Sequence, residues 1–451
     1  MSNLTVVKVK SEFCEGLSFN LEGIKRIGNV LILHGWIVDP ERQLSSIVLG
    51  NPGASKVVDL RDKLVRFARP DVVAAYNSPD ANIQTHYGFA AVIEQVPDAI
   101  GLPQIAVGLV ATNGHAYIES MRVVHLDSWE ESLPNIAGII PDTFLNVDRC
   151  QKFYQPIFKA ITSTLPAPVD ALDEVYGRKV RDPVLSIVIP LYGETRFELI
   201  QIPALAALRS RDWEVIFAVD DPRILEVVRA NARRLAKLYD LGIRIVAPTQ
   251  NQGFSGINNF AAAKAGGKTL LFLNSDCFIS QTAPIQRALK WLRQDKAGAV
   301  GFRLTYADKS IQHDGMSVSS WNGEADFLLN EHPRRGLPIN LIPQHPGNED
   351  ACLLTAACLM VSARIFHQVS GFDRDYVRGD FEDSDLCLKI LANGLRLGIV
   401  RSEGLFHLER QTIGDQEGGL RQKITLVNSF IYTNKWKKML EQGLQNLEVV
   451  A

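Results

Sequence analysis

From Pro183 onwards the chain alternates short apolar runs with longer amphipathic stretches, and this alternation constrains the fold most strongly. The apolar runs are VLSIVIPLY, WEVIFAV, IRIVAP and TLLFL. Their continuous hydrophobicity and their β-branched residues predict strands that are buried on both faces. Helices are expected between them, over about 196–210 and over PRILEVVRANARRLAKLYDLG, which should stop at Gly242. This order predicts an open α/β sheet, mostly parallel, with right-handed crossovers.

Length and composition separate this region from the rest of the chain. A chain of 451 residues is expected to form two or three domains. Residues 1–130 contain short apolar runs between Gly, Pro and Asn, which predicts a β-rich, sandwich-like accessory domain without a catalytic pattern. We interpret residues 131–180 as a helical linker and residues 181–440 as the catalytic domain.

The bulk charge and the cysteines narrow the class of protein. A net charge of −2 argues against a basic surface for nucleic acid, so no nucleic-acid partner is expected. Six cysteines without metal-site spacing favour reduced thiols and a cytoplasmic location. The run ACLLTAACLMVSA is shorter than the roughly 20 residues of a spanning helix. Peripheral association with the inner face of a membrane and a homo-oligomeric state remain open.

Polar clusters follow each of the predicted parallel strands. In such sheets, ligands bind at the carboxyl ends of the strands. Four clusters delivering acids, amides and glycines to one edge are difficult to explain by packing alone. The clusters are Tyr192-Gly193-Glu194, Asp220-Asp221, Asn251-Gln252-Gly253 and Asn274-Ser275-Asp276.

Each cluster also has a purely structural interpretation. Asp220 and Asp221 precede Pro222, so they are natural N-cap residues for the next helix. A further helix is expected to begin near Ser255, where its amides would attract phosphate, and Asn258 is a poor helix former inside it.

The triplet Asn274-Ser275-Asp276 has two interpretations that the residues alone leave open. It suits an Asx-rich turn after a strand. It equally suits Mg²⁺ or Mn²⁺ bound with a diphosphate, because such a metal needs few protein ligands.

Two later segments add candidate catalytic groups. The run GDFEDSDLCLKILANGL holds acids at the start of an amphipathic helix that should end at Gly394. A helix start needs one or two acids, and packing more together costs repulsion unless a cation or a proton transfer uses them. In LFHLERQT, His407 lies three residues before Arg410, which makes a diphosphate clamp conceivable. The acids are Asp380, Glu382, Asp383 and Asp385.

From about residue 184 to 412 the order of these pieces resembles glycosyltransferase family 2. The matching pieces are VLSIVIPLYGE, WEVIFAVDDP, NQGFSGINNFAAAKAGGKTLLFLNSD, IQHDGM, LTAACLMVSARIFHQVSGFD, GDFEDSDLCLKILANGL and LFHLERQT. The resemblance implies a GT-A-type fold and an inverting transfer from a nucleotide-diphosphate sugar. It also implies a place in bacterial surface polysaccharide synthesis, as a hexosyl- or deoxyhexosyltransferase.

The resemblance implies a role for each candidate residue. Asp383 would be the general base, and Glu382 would bind or orient the acceptor. Asp276 would ligate the metal together with His407. The donor would be held by Tyr192, Glu194, Asp220, Asp221, Asn251, Gly253, Asn258, Asn274, Ser275 and Arg410.

The implied cofactor is a divalent metal, Mn²⁺ or Mg²⁺. Asn274 stands where the family has the first acid of its DxD motif, so one metal carboxylate is missing. The implied partners are a UDP-, dTDP- or GDP-linked sugar and a glycan, lipid-linked or protein acceptor.

Two alternatives of a different class remain open. A sugar-phosphate nucleotidyltransferase would carry a glycine-rich loop with basic residues after the first strand, where this chain has PLYGETRFE. A weak or inactive nucleotide-sugar or glycan-binding protein would explain Asn274, whereas the intact Glu382-Asp383 pair argues against it.

Overall fold

A computed structural model shows the chain as two compact units. The first is Met1–Leu165 with Gly418–Val427, and the second is Pro166–Glu417 with Asn428–Ala451. No helix in the described part of the chain is long and apolar enough to cross a membrane. The structure describes residues 5–7, 10–50, 57–76, 86–94, 103–140, 146–165, 167–208, 211–322, 326–342, 348–350, 353–408 and 418–443.

The first unit is β-rich, as predicted. Its strands are β1 (Thr5–Val7), β2 (Ser18–Ile27), β3 (Val30–Val38), β4 (Leu44–Gly50), β5 (Val57–Asp59), β6 (Leu64–Phe67), β7 (Gly88–Ile93), β8 (Gln104–Ala111) and β9 (His115–His125). They form a nine-stranded sheet in the order β5-β4-β8-β9-β2-β3-β7-β6, with β1 paired to β9. Its helices are α1 (Pro70–Tyr76), α2 (Trp129–Ala137), α3 (Val147–Arg149) and α4 (Gln155–Thr164).

The second unit contains the predicted α/β sheet. Its strands are β10 (Asp170–Gly177), β11 (Leu185–Leu191), β12 (Trp213–Val219), β13 (Gly242–Pro248), β14 (Thr269–Leu273), β15 (Cys277–Ile279), β16 (Ala297–Phe302), β17 (Leu304–Thr305), β18 (Ile311–His313), β19 (Ser317–Asn322), β20 (Asp326–Glu331), β21 (Asn348–Asp350), β22 (Cys358–Ser362), β23 (Arg396–Val400) and β24 (Leu405–His407). Its helices are α5 (Glu198–Ala207), α6 (Leu225–Tyr239), α7 (Gly253–Lys264), α8 (Thr282–Trp291), α9 (Ala363–Gln368), α10 (Glu382–Ala392) and α11 (Gly418–Gly443), the last of which starts in the first unit.

The main sheet of this unit is mixed rather than purely parallel. Its order is β10-β13-β12-β11-β14-β22-β16-β23-β21. The four strands predicted from the apolar runs, β11 to β14, are mutually parallel. β22 lies antiparallel between β14 and β16, and the edge strands β10 and β21 are also antiparallel to their neighbours. A smaller sheet, β15-β24-β17-β18, lies beyond the end of β14 in the chain.

The continuous apolar runs are explained by two cores, one on each face of the sheet. Along β11, Ile187 and Ile189 belong to one core, and Val188 belongs to the other. Because both faces are covered, this strand carries apolar residues on both sides, with Ser186 as the exception.

The predicted end of the long helix at Gly242 is wrong. The helix α6 ends at Tyr239, and Asp240 forms the left-handed cap with a φ of 51°. Aspartate tolerates this conformation. Gly242 instead begins β13, and a Cβ there would lie 2.0 Å from the carbonyl oxygen of Arg178. The glycine therefore permits a close backbone approach. The later helix starts at Gly253, two residues before the predicted Ser255.

The cysteines of the described residues are reduced and buried, as predicted. They are Cys14, Cys150, Cys277, Cys358 and Cys387. Cys352 lies outside the described residues.

Candidate active site

The predicted polar clusters lie at one edge of the main sheet because four parallel strands end there. These strands end at Leu191, Val219, Pro248 and Leu273. The backbone N–H of Asp220 donates to the carbonyl of Leu191 at 2.9 Å, which joins the first two strand ends. This edge is where an open sheet binds its ligands.

Asp220 organises the loop before helix α7. Its buried carboxylate accepts a hydrogen bond from the backbone N–H of Gln252 at 2.7 Å. Asn251 then accepts from the backbone N–H of Gly253 at 2.9 Å. Gly253 has a φ of 68°, and nothing lies within 4 Å of where its Cβ would be. The start of the helix therefore stands open for a ligand, while Asp220 holds the turn that shapes it.

Asp221 caps the turn that leads into α6. Its Oδ1 accepts from the backbone N–H and the Nε of Arg223, both at 2.9 Å. Its Oδ2 accepts from the backbone N–H of Gly193 at 3.3 Å. The bonds to Arg223 lower the pKa of Asp221 despite its burial. Asp221 is thus an N-cap residue, as one of the two interpretations predicted. A contact of Asp221 with a nucleotide-sugar stays a prediction.

The first cluster presents one aromatic ring at the edge. Tyr192 is exposed, and the Arg223 guanidinium lies 6.0 Å from its ring centroid. Glu194 is occupied locally, because it accepts from the backbone N–H groups of Thr195 and Arg196 and pairs with the Arg196 guanidinium at 2.7 Å. That hydrogen-bonded pair lowers the pKa of Glu194. Of the two side chains, that of Tyr192 is therefore the more exposed.

Asn258 has one unsatisfied polar atom in the interior. Its Nδ2 donates to the carbonyl of Phe254 at 2.9 Å, whereas its Oδ1 has no hydrogen-bond partner among the described residues. The neighbouring Asn259 bonds the backbone of Phe372 in both directions, at 2.8 and 2.9 Å. Asn259 therefore holds α7 against the loop at Phe372. The Oδ1 of Asn258 could accept a hydrogen bond from a ligand.

The triplet Asn274-Ser275-Asp276 forms a turn and also aims a carboxylate at a histidine. The backbone N–H of Cys277 donates to the carbonyl of Asn274 at 3.0 Å, which closes the turn. The strands β15 and β24 align Cys277 with His407. As a result, Asp276 Oδ1 lies 3.3 Å from His407 Nε2. Ser275 is buried in the same turn.

The surroundings of His407 suit a metal or a phosphate. Both Asp276 and His407 are buried, and the Nδ1 of His407 has no hydrogen-bond partner among the described residues. No group of three His, Cys, Asp or Glu side chains in the described part of the chain is placed to hold a metal by itself. The protein thus provides one carboxylate and one imidazole, and Arg410 lies outside the described residues.

The Glu382-Asp383 pair is positioned by a stretch of unusual backbone. Four consecutive residues before it have positive φ angles: Arg378 (60°), Gly379 (88°), Asp380 (68°) and Phe381 (76°). Left-handed backbone at non-glycine residues is strained and typical of functional sites. Asn428 supports it, donating to the carbonyls of Val377 and Gly379 at 3.0 and 2.8 Å.

Asp383 is connected to the triplet through two adjacent residues. Its Oδ2 accepts from the backbone N–H of Ala356 at 3.3 Å, and its Oδ1 accepts from that of Ser384 at 2.7 Å. The next carbonyl, that of Ala357, accepts from the backbone N–H of Asn274 at 2.9 Å. Desolvation raises the pKa of Asp383 to about 6, although these hydrogen bonds oppose the shift. Such a carboxylate is suited to accept a proton near neutral pH.

Asp385, one of the four acids in the predicted run, has a structural role. Its buried Oδ1 accepts from Tyr376 at 3.1 Å and from Trp436 Nε1 at 2.7 Å. It also pairs with Lys435 at 2.7 Å and, through Oδ2, with Lys389 at 2.9 Å. The sequence shows four similar acids, and only the packing of α11 against α10 distinguishes this one.

A cluster around Asp314 was not identified from the sequence. The buried Asp314 carboxylate binds Arg303 at 3.1 Å, Arg334 at 2.8 Å and Arg401 at 2.9 Å. The preceding His313 lies 3.3 Å from His332 between their Nδ1 atoms. Burial, with smaller effects from His332 and His407, lowers the pKa of His313 to about 3, so its ring is neutral. The motif IQHDGM was the only signal for this cluster.

Part of the second unit is similar to known proteins. The family model of glycosyl transferase family 2 matches residues 186–353. A 173-residue stretch is 31% identical to O-antigen biosynthesis protein RfbC of Myxococcus xanthus, covering 37% of this chain and 13% of that protein. A 181-residue stretch is 26% identical to uncharacterized protein y4gI of Sinorhizobium fredii (strain NBRC 101917 / NGR234), covering 40% and 19%. The chain thus spans less than a fifth of the length of these relatives.

Two solved structures are similar at low identity. GalNAc-T7 with UDP, GalNAc and Mn²⁺ has a TM-score of 0.39 at 13% identity, covering 50% of this chain and 44% of that one. The mannosyltransferase PcManGT from Pyrobaculum calidifontis, in complex with GDP-Man and Mn²⁺, has a TM-score of 0.37 at 13% identity, covering 66% and 87%. These values are too low to bear on function. Residues 186–353, about a third of the chain, are similar to glycosyl transferase family 2.

Proposed function

We propose that this chain is an inverting glycosyltransferase that moves a sugar from a nucleotide-diphosphate donor to a hydroxyl group of a glycan, lipid-linked or protein acceptor. The observation that carries the proposal is the connection of Asp383 to the Asp276–His407 pair at the sheet edge. The hydrogen bonds at Ala356 and Ala357 link the proton acceptor to the triplet. The similarity of residues 186–353 to glycosyl transferase family 2 supports the same reaction class.

Asp383 is the proposed general base. In a single displacement, the acceptor oxygen attacks the anomeric carbon, the bond to the diphosphate breaks, and the acceptor proton passes to Asp383. The backbone amides of Ala356 and Ser384 hold the two carboxylate oxygens, which fixes their direction. Glu382, buried at the start of the same helix, is proposed to orient the acceptor.

Asp276 and His407 are the proposed ligands of Mn²⁺ or Mg²⁺. A carboxylate beside an imidazole fits such an ion, which would take its remaining ligands from the diphosphate and water. When bound, the metal would supply positive charge that offsets the charge on the departing diphosphate. Asn274 contributes its backbone to the turn, so the missing first acid leaves Asp276 as the carboxylate of the triplet.

The donor is proposed to lie along the edge formed by the strand ends. The exposed Tyr192 ring offers a surface for the base, and the open space beside Gly253, at the positive end of α7, offers room for phosphate. The loops of this edge are held by Asp220, Asp221, Glu194 and Asn251. Behind them, the Oδ1 of Asn258 has no hydrogen-bond partner among the described residues. A role in bacterial surface polysaccharide synthesis is proposed from the similarity to the O-antigen biosynthesis protein.

The decisive experiment measures release of nucleoside diphosphate from UDP-, dTDP- and GDP-sugars, with and without Mn²⁺ and with acceptor extracts. We expect release from at least one donor, and a loss of about 10²-fold or more in Asp383→Asn, since general base catalysis contributes that much. Asp240→Asn, at the exposed cap of α6, is the matched control. Nucleotide binding without turnover would support the binding-protein alternative, and full activity in Asp383→Asn would refute the assigned base.

A further inference from the structure

The first unit contains a cavity of about 390 Å³ that lies outside the proposed active site. Its wall is formed by β3, β4, β6 and the segment before β7. Apolar side chains such as Ile37 and Ile47 contribute to the lining. The charged residues of the lining are Asp39, Arg42, Arg61 and Arg66.

Two of the three guanidinium groups have no hydrogen-bond or ion-pair partner among the described residues. Arg61 pairs with Asp59 at 2.8 Å, and Asp59 also accepts from Ser46. Within the described residues, neither the Arg42 nor the Arg66 side chain makes a hydrogen bond or an ion pair. Arg42 has a φ of 54°, a left-handed conformation that is uncommon for arginine. The cavity thus holds guanidinium donors that no described residue binds.

Asp39 does not neutralise these arginines directly. Its two carboxylate oxygens accept from the backbone N–H groups of Gln43 and Leu44, both at 2.8 Å. It acts on Arg66, an exposed residue of β6, only through space. Three guanidiniums and one carboxylate leave a net charge of +2 in the lining, or +1 when Asp59 is counted against Arg61.

We propose that this cavity binds a small organic oxyanion of the size of a monosaccharide carrying a phosphate or a carboxylate group. A guanidinium matches either oxyanion with two parallel hydrogen bonds. The volume lies at the lower end of the range of small-molecule sites. Ser45 and Tyr87 add hydroxyl groups to the wall for the uncharged part of the ligand. The proposal is independent of the proposed transferase activity.

The test is calorimetric titration of the full chain at low ionic strength with glucose 1-phosphate, glucuronate and glucose. We expect at least one anion to bind with a dissociation constant in the millimolar range or tighter, and glucose to bind no more than weakly. Which anion binds distinguishes a phosphate site from a carboxylate site. Binding of neither anion, or equal binding of glucose, would overturn the proposal.

Variants locate the binding in this cavity. Arg66→Gln should weaken the anion at least about tenfold, the loss of one charge-assisted hydrogen bond, and Arg42→Gln should act in the same direction. Arg122→Gln, on the exposed face of β9, is the matched control and should bind like the parent. Asp383→Asn should bind the anion with the affinity of the parent. A failure of the cavity proposal is therefore distinguishable from a failure of the transferase proposal. Unchanged affinity in both cavity variants contradicts the proposal.

Discussion

The carboxylate of Asp383 combines a raised pKa with a fixed direction. Desolvation raises its pKa to about 6, and two backbone amides hold its oxygens. Asp276 is different, because its partner is a side chain, His407, at 3.3 Å. The two acids therefore have different surroundings, which fit the different roles proposed for them: proton transfer for Asp383 and binding of a cation for Asp276.

Transferase activity should depend on pH through Asp383. A base with a pKa of about 6 is protonated below that pH and cannot accept the acceptor's proton. We expect kcat/KM to fall about tenfold per pH unit below this value and to level off above it. Initial rates between pH 4.5 and 8, with circular dichroism at each pH as the control for folding, check this. A rate that stays constant down to pH 4.5 would show that another group takes the proton.

Removing the Asp276 carboxylate should weaken metal-dependent nucleotide binding. Asp276→Asn keeps the size of the side chain but removes its charge beside His407. We expect UDP to bind at least about tenfold more weakly in the presence of Mn²⁺, and little change without the metal. Titration calorimetry with Asp240→Asn as control measures both. Equal loss with and without Mn²⁺ would mean that the residue supports the loop and not the metal.

At the level of elements, α10 carries acids with opposite roles a short distance apart. Asp383 lies toward the turn before β22, at Ala356, whereas Asp385 lies against α11. Because α10 turns by about 100° per residue, neighbouring acids necessarily occupy different faces. The helix therefore serves the proposed site with one face and the packing of the unit with another.

Loss of the Asp385 carboxylate should destabilise the second unit. Asp385→Ala leaves Lys389 and Lys435 without this partner and removes an acceptor from Tyr376 and Trp436. Breaking a buried pair in this way costs about 3–5 kcal/mol. Urea unfolding, with Asp295→Ala at an exposed turn as control, measures the difference. A loss below about 1 kcal/mol, the range of surface pairs, would contradict the buried role.

Across the whole molecule, one buried acid should make stability depend on pH. Glu198, at the start of α5, is fully buried, and desolvation raises its pKa to about 7, partly opposed by a hydrogen bond from Asn231. An acid whose folded pKa exceeds its unfolded value binds more protons when folded. Its contribution to stability is therefore greatest at low pH and is lost between about pH 4.5 and 7.

Glu198→Gln should remove this dependence. The unfolding free energy of the variant minus that of the parent should increase by up to about 3 kcal/mol as the pH rises from 4.5 to 8, because only the parent loses the contribution of Glu198. Urea unfolding at both pH values measures the difference, and Glu403→Gln at an exposed position is the control. A difference that stays constant with pH would show that Glu198 titrates normally in the folded protein.

Local patterns in the sequence predicted the parallel strands of the sheet and the polar edge at which they end. The apolar runs predicted β11 to β14, and the polar clusters lie where those strands end, because strand burial and turn chemistry act over a few residues. The stop of the helix near Gly242 was misplaced, since a glycine can serve a cap or a close backbone approach and only the Arg178 carbonyl distinguishes them.

The amino-acid sequence by itself determined which strands are buried on both faces, the order of the polar clusters and the presence of paired acids at the start of a helix. The tertiary structure decided which of these groups meet. Pairing of β15 with β24 brings Asp276 to His407. Packing of α11 against α10 gives Asp385 a hydrogen bond from Trp436, whereas Asp383 faces Ala356. These outcomes depend on contacts between residues far apart in the chain, and no local periodicity encodes such contacts.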